Sequence, residues 1–293
     1  MIGSWAARSM VQYFFVERLV SVAWHHIDHT KKAPNNFIDY DYSWNFVSDL
    51  GARGCHILDG GTVYERWVCS PLFAVMNASF MLVGIGVFVA AALISATVLR
   101  AGGNLRAQQR PRKRPARFLW TEMSPSVRLV HHLNGEHHGH KLTPHHWLTT
   151  IMRLLMALSG IALIFVGGFP EDYNWDIHAS STMIFLVLAI ASLACLVMLW
   201  WKTRIFPALL ILFSAVVAAI GGGLMLVALV FSIQPIDRGL LERLVVYGFI
   251  AGMTVMGVTL GSAGRRARRA RRETREYRRR SSIPRFGIPK RRV

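Results

Sequence analysis

Five polar residues stand beside or within long apolar runs, where ionisable and amide groups are costly: Asp49, Asn77, His178, Glu242 and Arg243. A carboxylate pair, an imidazole, an amide and a guanidinium can together grip a ligand or a lipid headgroup. Such groups at membrane depth mark a functional site by default. The other reading is a structural network, with Arg243 paired to Asp49 or Glu17 and His178 capping its helix. A catalytic version would draw on Ser48, Asp49 and His178, or on a Ser48–His178–Asp176 relay for acyl transfer. No strand-turn-helix nucleophile elbow surrounds Ser48, so binding is expected before catalysis.

A second grouping could do metal chemistry. His131, His132, His137, His138 and His140, with His145 and His146 just after, place seven histidines in sixteen residues. Neutral imidazoles suit zinc, nickel or copper. Their spacing matches no defined site, such as paired histidines on one helix face with a glutamate between. No cofactor is therefore expected, and a divalent transition metal at this linker stands as the alternative. Cys55 and Cys69 share one hydrophilic segment. A disulfide closing about 15 residues there would contribute about 3 kcal/mol on the chain-entropy model. Cys195, inside an apolar run, reads as a small buried residue.

The elements that must position these groups are membrane helices. Apolar runs cover 70–99, 147–169, 177–201, 205–233 and 244–264. Each exceeds the roughly 20 helical residues needed to cross about 30 Å of hydrocarbon. With no water at that depth, each segment must satisfy its own backbone, which favours helix even where Val and Ile are frequent. A weaker sixth candidate is 8–24, which is short and carries Glu17 and Arg18. Its alternative is an amphipathic helix lying in the interface. The same charged pair, with no small-residue cleavage site after it, argues against a cleavable signal.

Charge fixes the expected orientation. With six spans and the amino terminus inside, inner segments hold 26 Lys or Arg against 5 outside. That bias is the positive-inside pattern and puts both termini in the cytosol. The formal charge of +18 is then an average over a basic inner face and a mildly acidic outer one. Nucleic acid is not the expected partner, because no aromatic platform interleaves the arginines. Membrane lipids, with anionic headgroups at the inner face, are the expected partners, with envelope proteins as the alternative.

The expected architecture is all-α: residues 1–264 form a six-helix transmembrane domain, with an outer loop at 25–69 and a basic, His-rich inner linker at 100–146. An Arg-rich cytoplasmic tail follows at 265–293 and continues the last helix. The outer loop carries Tyr40, Tyr42, Trp44, Phe46, Tyr64 and Trp67, aromatic rings suited to an interface over the bundle mouth. Ser48-Asp49 is expected to cap a local helix that turns at Gly51. Ser70-Pro71 reads as the cap and first residue of a helix. Asn77 must find a polar partner. Gly221-Gly222-Gly223 is expected to allow close helix packing rather than a break.

Several of these pieces, in order, look like a known family. They are Ser48-Asp49-Leu50-Gly51, Ser70-Pro71 with Asn77-Ala78-Ser79, Gly168-Phe169-Pro170-Glu171, Asn174, His178, and Gly239 with Glu242-Arg243. The order resembles the bacterial membrane-protein family known as domain of unknown function 998. More loosely it is similar to the eukaryotic Frag1/DRAM/Sfk1 membrane proteins. The resemblance runs over about 10–264 and implies a six-helix bundle with the motif residues at its outer face. It brings no reaction with it. The His-rich linker and the Arg tail lie outside the pattern.

The resulting expectation is a multi-pass plasma-membrane protein that binds lipid or organises envelope components. The alternatives are a membrane-embedded enzyme modifying lipids or glycans at the outer face, and a small metal-related transporter.

Overall fold

The computed structural model describes residues 2–24, 40–58, 66–94, 145–231 and 236–282. The histidines at 131, 132, 137, 138 and 140 lie outside the described residues, as do Tyr64 and the chain beyond 282.

The chain is a helical membrane bundle. Helices α3 (Phe73–Leu93), α4 (His145–Gly168), α5 (Trp175–Trp200), α6 (Ile205–Phe231) and α7 (Arg238–Ser282) each contain a stretch long and apolar enough to cross a bilayer. The shortest, α3, has 21 residues, about 32 Å at 1.5 Å per residue.

The amino-terminal segment departs from the single short span expected at 8–24. It begins at Ile2 and consists of α1 (Ile2–Ser9) and α2 (Gln12–Trp24), separated at Met10-Val11. There i→i−3 bonds replace the helical ladder: Val11 N to Arg8 O, Tyr13 N to Met10 O and Phe14 N to Val11 O. The broken helix still runs the height of the bundle. Ser4 Oγ donates to Gly257 O at 2.5 Å near one end, while Trp24 packs on Tyr40 at the other.

The helices form a ring in chain order. α3 packs on α4, α4 on α5, α5 on α6 and α6 on α7, and α1 closes the ring by touching both α3 and α7. Small residues set the tight crossings, as expected where lipid offers helices no hydrophobic drive to associate. A Cβ on Gly84 would lie 2.5 Å from Gly160 O, and one on Gly160 would lie 2.6 Å from Gly84 O. Gly221 does the same for α6 against α7, its Cβ position lying 2.7 Å from Leu244 Cβ and 2.8 Å from Leu241 O. α6 runs unbroken through this glycine run.

Cap assignments at two of the long helices change. Ser70 does not cap α3, whose cap position is Leu72 with no side-chain bond. Its hydroxyl instead donates to Leu50 O at 2.6 Å, tying the loop to the helix start. At α5 the cap is Asn174, whose Oδ1 accepts from Ile177 N at 3.1 Å, and not His178. An Asn at this position satisfies a helix N–H that would otherwise lack a partner.

Candidate functional site

The end of the bundle that carries the α4–α5 connection, here the loop end, is roofed by Tyr40–Ala52 and a short antiparallel hairpin. The hairpin pairs β1 (His56–Leu58) with β2 (Arg66–Val68), placing His56 opposite Val68 and Leu58 opposite Arg66. A disulfide joins Cys55 to Cys69. The hairpin base is tied to the α4–α5 connection, where Asp172 Oδ2 accepts from Arg53 N at 2.6 Å and Gly54 N at 3.0 Å.

The roof is built on local turn chemistry. Asp41 Oδ1 accepts from Ser43 N and Ser43 Oγ at 2.7 Å each and from Trp44 N at 3.3 Å, an Asx-type turn. The Ser43 hydroxyl leads in holding the Asp41 carboxyl below its usual range. Residues 48–51 then make a 3-10 turn capped by Val47 without a side-chain bond. Asp49 does not cap it; its carboxylate reaches back, with Oδ2 accepting from Phe46 N at 2.9 Å and Asn45 Nδ2 at 3.3 Å. The Asn77 partner is in the roof too, its Nδ2 donating to Gly51 O at 2.9 Å.

Two buried arginines fasten roof to helices. Arg66 Nε donates to Asp49 Oδ1 at 2.7 Å and its Nη2 bonds Glu171 Oε1, while Phe46 lies under the guanidinium at 4.8 Å. Burial alone would weaken the guanidinium's hold on its proton. Asp49 and Glu171 outweigh it and raise the Arg66 pKa above its ordinary value. Arg243 Nε donates to Glu17 Oε1 at 3.0 Å. Its Nη1 serves Tyr42 O, Asn45 O and Gly239 O at 2.6 to 2.9 Å, and its Nη2 bonds the Tyr40 hydroxyl. That hydroxyl is buried, which pushes its pKa well above the usual value. Tyr247 completes the group by donating to Glu17 Oε2 at 2.7 Å. The costly Glu17 of the sequence is thus a paired residue at the loop end.

Beneath the roof, between α5, α6 and α7, lies a cavity of about 220 Å³. Its apolar wall includes Ala179, Met183, Met225, Ala228 and Leu241. Its polar groups are Ser48, Glu171, His178, Thr182, Arg238 and Glu242, with Phe46 and Trp175 supplying rings. Glu242 Oε2 accepts from Val47 N and, at 3.4 Å, from Ser48 N. His178 Nδ1 meets Phe169 O at 2.9 Å. Thr182 Oγ1 is buried with no hydrogen-bond partner among the described residues.

The five sequence candidates all lie at the loop end, and the structure divides them by task. His178 and Glu242 line the cavity, as does Ser48. Asp49, Asn77 and Arg243 instead hold the roof. The Ser48–His178–Asp176 relay is not assembled, since His178 Nδ1 is engaged by a carbonyl and Asp176 is exposed. Sequence reasoning passed over Arg66, Arg238 and Thr182, and gave Glu171 no role beyond its place in a motif. The available signal was an arginine on the acid-rich face, where topology asks for none. Cys195 is half-buried and free. Among the described residues no three His, Cys, Asp or Glu side chains are grouped to hold a metal.

No curated protein and no solved structure matches the chain. Residues 140–271, which hold α4, α5, α6 and the apolar part of α7, match the family model described as Protein of unknown function (DUF998), so the family that the motifs resemble is the one this stretch carries.

Proposed function

We propose that this multi-pass membrane protein binds an amphiphilic membrane molecule in the loop-end cavity, at the outer face of the plasma membrane. The observation that carries the reading is the mixed lining of the cavity: alkyl side chains of α5, α6 and α7 together with Glu171, His178, Arg238 and Glu242. Ligand sites of this kind are mostly apolar, with a few placed polar groups that fix orientation. A bilayer supplies molecules of that build at this depth. The 26-to-5 distribution of basic residues supports an outward-facing roof, and an outward roof keeps the cystine on the oxidising side. The Arg-rich continuation of α7 would then meet anionic headgroups at the inner face.

Two observations weigh against catalysis by the residues first considered. Asp49 is fully buried with both oxygens engaged, and His178 Nδ1 is taken by a backbone carbonyl, Phe169 O, rather than by a carboxylate. The test is to purify the full chain in mild detergent and identify retained lipids by native mass spectrometry. Ala179→Phe, which fills the cavity, should release them while leaving the helical circular dichroism intact. Equal retention by wild type and the filled variant would overturn the reading.

A further inference from the structure

Several hydroxyl side chains in the spans bond to their own helix. Ser159 and Ser192 donate to the carbonyl three residues back, at 2.9 and 2.8 Å. Ser214, Thr254 and Thr259 donate to the carbonyl four residues back, at 3.0, 2.7 and 2.7 Å. This is the usual resort of a serine or threonine inside a helix. Thr182 departs from it. Its Oγ1 takes neither Ala179 O nor His178 O and is buried with no hydrogen-bond partner among the described residues. A buried hydroxyl left unpaired bears its full desolvation penalty. The departure coincides with the cavity, which Thr182 lines.

Depth adds a second constraint. Glu171, Arg238 and Glu242 line the cavity and each touches the roof, through Arg66, Trp44 and Val47 N. Thr182 lies four residues beyond His178 and seven beyond Trp175, the first residue of α5. At 1.5 Å per residue it is about 6 and 10 Å further along the helix. An amphiphile that is polar only at its tip meets the groups under the roof and leaves Thr182 unpaired. An amphiphile whose chain is joined to its head by an ester supplies a carbonyl acceptor further down.

Resting on the proposed binding function, we infer that the cavity's ligand is an acyl ester and that Thr182 Oγ1 donates to its carbonyl oxygen. The ester is borne by a two-chain glycerophospholipid of the bilayer or by a single-chain acylglycerol. Thr182 is then the residue that tells ester-linked from ether-linked amphiphiles, because an ether lacks the carbonyl.

The test uses the full chain in detergent, with retention read by native mass spectrometry. Ester-linked and ether-linked forms of phosphatidylethanolamine, phosphatidylglycerol and monoolein, matched in chain length, are offered in pairwise competition. Wild type should retain an ester over its ether about fivefold, the factor of one neutral hydrogen bond. Thr182→Val keeps the branched shape without the hydroxyl and should hold both forms equally. Thr182→Ser keeps the hydroxyl and should keep the preference. The wild-type comparison stands even where a variant fails to fold. Retention of monoolein without either phospholipid supports the inference and identifies a single-chain ester as the source. An ester preference undiminished in Thr182→Val overturns the inference. Equal retention of ester and ether by wild type, with both released by Ala179→Phe, overturns it too and leaves the cavity reading standing; a water then satisfies the hydroxyl. If no probe is retained beyond the Ala179→Phe background, both fall.

Discussion

Arg66 and Asp49, 17 residues apart, form a pair at 2.7 Å with side chains 1% and 0% exposed. The pair joins the two parts of the roof, and Arg66 also reaches Glu171 in the α4–α5 connection, so its charge chemistry is part of how the roof is held. Removing one partner from a buried ion pair costs about 3 to 5 kcal/mol, because the other charge is left without compensation. Asp49→Asn should destabilise the protein by less than that range, because Glu171 still pairs with Arg66, and should lower the thermal midpoint in detergent. Arg66→Lys should not restore the wild-type value, since an ammonium cannot fork to Asp49 and Glu171 together. A midpoint unchanged by Asp49→Asn would show that the pair does not hold the roof.

Acid should act on the Asp41 turn in a defined direction. Its folded pKa lies below the ordinary value, so its stabilising effect is present above the unfolded pKa. The effect is lost as pH falls through the lower folded value. The difference in melting temperature between wild type and Asp41→Asn should be constant above about pH 5 and shrink below about pH 4. A difference that grows on acidification would contradict this account. The group is largely exposed, so the effect is small.

Reduction should loosen the hairpin. Cys55 and Cys69 are separated by 14 residues, and opening a loop of that length costs about 3 kcal/mol on the chain-entropy model. Cys55→Ser should melt lower than wild type and be cut faster by protease in the roof. If the two proteins are cleaved at equal rates, the bridge contributes nothing to the roof.

Gly239 permits the roof to sit directly on α7. A Cβ there would collide with Asn45 O and lie 2.8 Å from Ser43 O, the acceptor for Leu240 N. Gly239→Ala should therefore destabilise by about 1 to 3 kcal/mol, the usual cost of overpacking. Enhanced labelling of residues in the roof would accompany it. Wild-type stability for this variant would mean that the roof yields without cost.

Orientation can be checked directly. A cysteine added after Val293 should react with a membrane-impermeant maleimide only after the cells are permeabilised. Labelling of intact cells would invert the topology and place the cavity in the cytosol.

The bundle was legible because it rests on one strong signal. Twenty or more apolar residues bounded by charge leave little choice but a helix in hydrocarbon. The first segment was read less well. Arg8 and Ser9 interrupt the apolar pattern, so the helix at Ile2–Ser9 went unseen, and Glu17 looked like a liability until Arg243 was placed beside it. The roof was harder still. Arg66 joins residues 17 and 105 positions away, and nothing in local composition reveals such pairings. Ser70 illustrates the same limit: next to a proline it has the form of a cap, yet Leu50, 20 residues upstream, claims its hydroxyl.

The ring closes through partners made far apart in synthesis. Glu17 precedes Arg243 by 226 residues, and Ser4 precedes Gly257 by 253. At about 5 to 20 residues per second, the first carboxylate waits roughly 10 to 45 s for its arginine. Through that interval the nascent amino-terminal helix has to be sheltered, by the insertion machinery or by a proton on Glu17. Closure of this bundle thus waits for the synthesis of α7, and a ribosome that stalls before α7 leaves Glu17 without its arginine.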